Sequence, residues 1–184
     1  KQAYEIIDVD ERIKLEEYAT AYMAYLNAAR TEREAVTEAI AQAEALGFVP
    51  YERGMVLEPG TKIYKSVRGK ALMLAVMGRE TLDHGANIAA AHVDSPRLDL
   101  KPIPLYEKDE ICLLKTHYYG GIKKYQWVAI PLEIHGVVTK KNGETIEVVI
   151  GKDPEDPKFT ITDLLTHLAK RQMAKHGSDI IPGE

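Results

Sequence analysis

Cysteine is nearly missing from this chain. Cys112 is the only one in 184 residues, so no intrachain disulfide can form and nothing points to an oxidising compartment. Long apolar runs are missing too: no stretch approaches the ~20 residues that cross a bilayer. The first residues, Lys1-Gln2-Ala3-Tyr4-Glu5, lack the apolar centre of an export signal. Together these absences give the expectation of a cytoplasmic protein without a membrane partner. There is no excess of positive charge either, since 24 Lys and Arg against 28 Asp and Glu give a formal charge of -4. The cations are scattered, so nucleic acid is not an expected partner. A P-loop, Gly-x-Gly-x-x-Gly, Gly-x-Ser-x-Gly and paired cysteines are all absent, and the chemistries they signal go with them.

What is present has the balance of a soluble globular protein, 45% hydrophobic and 28% charged. The length suits one ordinary core, or a small domain plus part of another. The chain opens at Lys1 without a methionine and closes on Ile180-Ile181-Pro182-Gly183-Glu184, an apolar pair entering what reads as another element. A fragment of a longer polypeptide is therefore expected.

Between Asp10 and Ala29, apolar residues at Leu15, Tyr18, Ala19, Tyr22 and Leu26 follow the spacing of one helix face. Thr31-Glu32-Arg33-Glu34 is a capping-box pattern that starts a second helix with Val36, Ala39, Ile40, Ala43 and Leu46 inward. Gly47 and Pro50 end it. Lys62–Val67 and Ala71–Met77 flank Arg68-Gly69-Lys70 as a hairpin. The second of these strands is apolar on both faces, as is Asn87–Val93, which predicts central strands in an α/β layer covered by helices. Beyond Pro96, longer strands are expected at Leu98–Tyr106, Ile111–Tyr118, Trp127–Val138 and Glu144–Ile150, the last two joined through Asn142-Gly143. A polar loop follows at 151–157, and Leu164, Leu165, Leu168, Ala169 and Met173 mark a third helix. A domain boundary is expected near Pro96.

Chemistry is concentrated in Ala91-His92-Val93-Asp94-Ser95-Pro96, where an apolar strand runs out. In extended backbone, residues i and i+2 point to one face, so His92 and Asp94 can converge. A neutral imidazole binds zinc through one nitrogen while a carboxylate holds the other N–H. The same pair also fits a buried histidine tied to its neighbour for structure, and the pattern alone leaves both readings open. His84, His117, His135 and His176 read as surface or packing residues. His167 lies off the Leu165, Leu168, Ala169 stripe, exposed or facing a partner. Tyr119-Gly120-Gly121 reads as a turn, or as backbone brought close to a ligand.

The longer string His92-Val93-Asp94-Ser95-Pro96-Arg97-Leu98-Asp99-Leu100-Lys101-Pro102 resembles the signature of the M18 metallo-aminopeptidases, the aspartyl aminopeptidase family. The order of the helical pair, Tyr119-Gly120-Gly121, Trp127, Leu132–Val138 and Asp163-Leu164-Leu165-Thr166-His167-Leu168 agrees, so the resemblance covers most of the chain. It implies part of a zinc-peptidase α/β sandwich at 1–97 and an inserted β-rich dimerisation domain at 98–184. It also implies a dimer-based homo-oligomer, a dodecamer in this family, acting on peptide substrates with two Zn2+ per site. By the same resemblance His92 is a zinc ligand, Asp94 the carboxylate that orients it, and His167 a group that reaches a partner subunit's active site to hold the substrate carbonyl oxygen. The bridging aspartate, general-base glutamate and other zinc ligands would lie beyond Glu184, so this segment alone is expected to be inactive. After Gly121 the chain reads Ile122-Lys123-Lys124-Tyr125-Gln126-Trp127, without the tryptophan and Asp-Arg-Asp pattern of many members. Specificity for acidic N-terminal residues does not carry over. The competing expectation is a non-catalytic oligomerisation or binding module in which His92 is structural.

Overall fold

The computed structural model describes residues 2–181; the predicted continuation through Pro182, Gly183 and Glu184 lies outside them. The architecture is mixed α/β, in two compact units, Lys1–Asp94 and Ser95–Glu184.

The first unit begins with α1, Val9–Ala28, one residue earlier than the periodicity implied. Asp8 explains the start: its carboxylate accepts the Glu11 N–H at 2.8 Å while Glu11 reaches back to the Asp8 amide. The expected inner face is largely open, with Tyr18, Tyr22 and Leu26 exposed and the two tyrosine rings stacked on each other. Helix α2, Glu32–Ala45, is capped by Thr31, whose hydroxyl accepts the Glu34 N–H and donates to the Glu34 carboxylate. It buries Ala35, Val36 and Ala43, whereas Leu46 is exposed.

Strand β1, Val49–Pro50, runs parallel to β2, Lys62–Val67, which pairs antiparallel with β3, Ala71–Val76. The expected hairpin forms, its turn carried by positive φ at Arg68 and Gly69. Helix α2 is pinned to this sheet by polar contacts. Lys62 Nζ donates to the Leu46 carbonyl at 2.8 Å, one of the carbonyls a helix end leaves without a partner, and the Tyr64 hydroxyl donates to Glu44 at 2.6 Å. Two expectations fail in this unit. Strand β3 lies at the sheet edge rather than at its centre, with Met73, Leu74 and Val76 exposed. Asn87–Val93 joins no ladder among the described residues, and Ile88 is exposed. Two-faced apolarity is the pattern of a covered strand, and the described residues supply no cover.

The second unit is built on two hairpins. Strands β4, Arg97–Lys108, and β5, Ile111–Tyr119, pair with a register shift between Leu100 and Leu105. Pro102 and Pro104 fall in that gap, and a residue without an N–H cannot serve the ladder. Strands β6, Ile134–Thr139, and β7, Thr145–Ile150, pair through the Asn142-Gly143 turn. Residues 127–133, expected as the start of β6, make only isolated bridges, Val128 to Ile161 and Leu132 to Phe159. The 151–157 loop is ordered from within. Asp156 accepts the Gly151 and Asp153 amides, and the Lys158 ammonium donates to the Gly151 and Asp153 carbonyls.

The third predicted helix shrinks to α3, Lys170–Met173, preceded by a single turn at 166–168. Of its stripe only Ala169 is buried; Leu164, Leu165, Leu168 and Met173 are exposed. Most helix stability in proteins comes from packing an apolar face, and this face is unpacked. No helix among the described residues is long and apolar enough to cross a membrane.

The Tyr64 contact yields a test. Donation to Glu44 raises the Tyr64 pKa above the ordinary tyrosine value, because ionisation would lose that bond and set two anions side by side. A raised folded-state pKa means the bond contributes fully below the ordinary value and is lost as pH rises through the raised one. Phenolate absorbance should therefore show one tyrosine titrating late, and Glu44→Gln should bring it back toward the others. Superimposable curves would show that the contact does not hold.

Candidate metal centre

His92 and Asp94 lie in the unpaired stretch that ends the first unit. Their side chains meet, with His92 Nδ1 and Asp94 Oδ1 3.0 Å apart. An ionised carboxylate only accepts hydrogen bonds, so Nδ1 carries the proton and the Nε2 lone pair is left for another partner. The His92 side chain is 81% exposed and that of Asp94 36%. The pair therefore forms as either reading requires, but it is not the buried pair of the structural one.

In donor type and tautomer His92 suits zinc: a neutral imidazole with its second nitrogen tied to a carboxylate. The full ligand set is another matter. Zinc takes four ligands, about three of them from protein in catalytic sites, and no group of three or more His, Cys, Asp or Glu comes together among the described residues. These residues offer one corner of such a site.

Within the second unit, the start of β4 is braced by contacts of Arg97. Arg97 Nε donates to Asp99 at 2.7 Å, and its guanidinium lies 4.1 Å over the Tyr119 ring. Arg97 and Tyr119 are also the first register pair of β4 and β5. Gly120 turns at φ +78, and a Cβ there would touch Pro96 at 3.5 Å. The chain bends at Gly120-Gly121, and the positive φ at Gly120 favours glycine there. The signal for Arg97 was available, since it is spaced from Asp99 as His92 is from Asp94.

His167 belongs to the second unit, on the turn at 166–168. It is exposed and takes no hydrogen bond among the described residues. Beside it, Asp163 Oδ1 accepts from both the Leu164 N–H and Gln172 Nε2, each at 2.8 Å. These bonds hold the Asp163 carboxyl below its ordinary pKa, the Gln172 bond most. Elsewhere, His135 Nε2 lies 2.8 Å from Glu133 with its side chain 10% exposed, a packed histidine. His84 lies near Thr81 and Glu80 at the surface.

Comparison with known proteins fixes the family. The profile described as Aminopeptidase I zinc metalloprotease (M18) matches residues 25–181. A curated relative in Clostridium acetobutylicum, "Probable M18 family aminopeptidase 1", is 45% identical over 188 residues, covering 100% of this chain and 38% of its own length. The crystal structure of an M18 aminopeptidase from Thermotoga maritima superposes with a TM-score of 0.86 at 44% identity, over 97% of this chain and 38% of that one. A more distant likeness in fold, at 20% identity and TM-score 0.64, is to the S. cerevisiae mApe1 dodecamer, over 77% of this chain and 34% of that one. The chain belongs to the M18 family of zinc metalloproteases. It spans 38% of the length of the Clostridium relative and matches N-terminal M18 sequence.

The His92 tautomer is directly measurable. In the metal-free intact protein near neutral pH, long-range proton–nitrogen spectra should show His92 protonated at Nδ1. Asp94→Ala should release it to a mixture of tautomers, and an identical spectrum in that variant would remove Asp94 from its orienting role.

Proposed function

We propose that the intact protein is a zinc-dependent aminopeptidase that removes N-terminal residues from peptides. In this reading residues 1–97 form the first part of a zinc-peptidase α/β sandwich, and 98–184 an inserted β-rich dimerisation domain. The observation that carries it is the exposed His92 ring with Nδ1 tied to Asp94 at 3.0 Å, inside a chain that belongs to a zinc metalloprotease family.

His92 is the metal ligand, through Nε2. Asp94 holds the Nδ1 proton, which fixes the ring's orientation and makes Nε2 a better donor. Bound zinc, two ions per complete site in this reading, supplies Lewis acidity and a water acidic enough to attack near neutral pH. His167 donates a hydrogen bond to the substrate carbonyl oxygen as negative charge builds on it. It does so from the dimerisation domain of one subunit toward the site of another, which makes the homo-oligomer part of the catalyst. Support for assembly comes from the dodecameric fold relative. One imidazole donor is too little to hold catalytic zinc, so residues 1–184 alone are inactive. The whole enzyme works in the cytoplasm.

The test uses the intact protein. His92→Ala should lose bound zinc and at least 1000-fold in kcat/KM. Asp94→Asn should weaken metal binding by about 10- to 100-fold. His167→Ala should keep its zinc and lose about 100- to 1000-fold in kcat, the range of one oxyanion donor. Wild-type peptidase rates in both histidine variants would overturn the roles given to His92 and His167, whereas an intact wild-type protein without zinc and without peptidase activity would favour a non-catalytic assembly module.

A further inference from the structure

The turn that carries His167 has little to hold it in place. Leu164, Leu165 and Leu168 are 54%, 64% and 62% exposed, and only Ala169 is buried. The backbone contributes one tight turn, Leu168 N–H to the Leu165 carbonyl at 2.8 Å and Ala169 N–H to the same oxygen at 3.0 Å. The four residues of α3 that follow have no side-chain cap at their start, and a helix of that length is not stable by itself. Neither packing nor helix propensity fixes the direction of the His167 side chain.

One polar feature spans the segment. A single oxygen, Asp163 Oδ1, takes a hydrogen bond from the next residue's backbone and another from Gln172, nine residues further on. The two donors come from opposite ends of the loop, so the carboxylate closes it into a ring with His167 near its middle. Gln172 gives a side-chain N–H to this closure. An aspartate carboxyl is ionised at neutral pH, so both bonds are charge-assisted, and they lower its pKa below the ordinary value.

We propose that Asp163 and Gln172 are positioning residues for His167, holding its turn in the conformation that presents the imidazole to the substrate carbonyl. This inference rests on the role assigned to His167 above. A group that stabilises developing charge must be held within about 0.5 Å of its working position, and a misplacement near 1 Å can cost about 100-fold.

In the intact enzyme, Asp163→Ala and Gln172→Leu should each lower kcat tenfold or more, with KM and bound zinc close to wild type. Asp163→Asn, whose amide oxygen still accepts both bonds, should recover most of the loss. Placed in a His167→Ala background, Asp163→Ala should cost nothing further, because a residue acting only through His167 has no effect once that ring is gone. The His167 ring resonances should broaden or shift in Gln172→Leu and not in Asp163→Asn. If Asp163→Ala fails to fold, Gln172→Leu with the ring spectrum decides alone. Full activity in His167→Ala would overturn the role of His167 itself. A large loss in His167→Ala beside wild-type kcat and ring spectrum in Gln172→Leu would overturn the brace while leaving that role intact. An added loss from Asp163→Ala in the double variant would likewise show that it does not act through His167.

Discussion

A ladder of hydrogen bonds satisfies the edges of two strands and leaves their faces to find cover elsewhere. This chain is assembled almost entirely under that constraint. The pairs β2 with β3, β4 with β5, and β6 with β7 are hairpins, each closed by its own turn. Among the described residues the buried apolar side chains are Ala35, Val36, Ala43 and Ala169, three of them alanine. Fully burying a Val, Leu or Met side chain is worth about 1.5–3 kcal/mol, and Met73, at 70% exposed, gains little of it. Local devices therefore fix the geometry: caps, turns with positive φ, and charged side chains reaching backbone carbonyls.

The candidate centre is of the same kind. His92 is oriented by Asp94, two residues away, and not by a surrounding core. Arg97 with Asp99 repeats that spacing as an ion pair, and Glu133 with His135 as a 2.8 Å hydrogen-bonding contact. One rule of extended backbone, that alternate side chains share a face, thus produces an oriented imidazole at His92, an Arg97 side chain held over Tyr119 and a packed histidine. The rule places the partners; chemistry and exposure separate their roles. His92 remains largely open to solvent, whereas the His135 side chain is nearly covered.

Features set by neighbours in sequence were readable before any coordinates. Thr31 announced the start of α2, Asn142-Gly143 the last hairpin, and His92 with Asp94 their own contact. The features that depend on distant cover differ from what their local pattern implies. The apolar texture of Ala71–Val76 and Asn87–Val93 describes strands buried on both sides, and the described residues neither bury nor pair them that way. The stripe from Leu164 to Met173 has helical spacing but no surface to pack on, so four helical residues remain. Asp163 and Gln172 escaped notice because nine residues separate them and no periodicity links a carboxylate to an amide at that distance.

The 151–157 loop, rich in acidic side chains, looks from its composition like a place where a divalent cation would collect. Lys158 already stands there, its ammonium on the carbonyls of Gly151 and Asp153 while Asp156 is occupied by two amides. The loop carries its own counter-ion by covalent attachment. The loop's negative charge is thereby answered from within the chain, and its fold is held without recourse to a bound ion among the described residues.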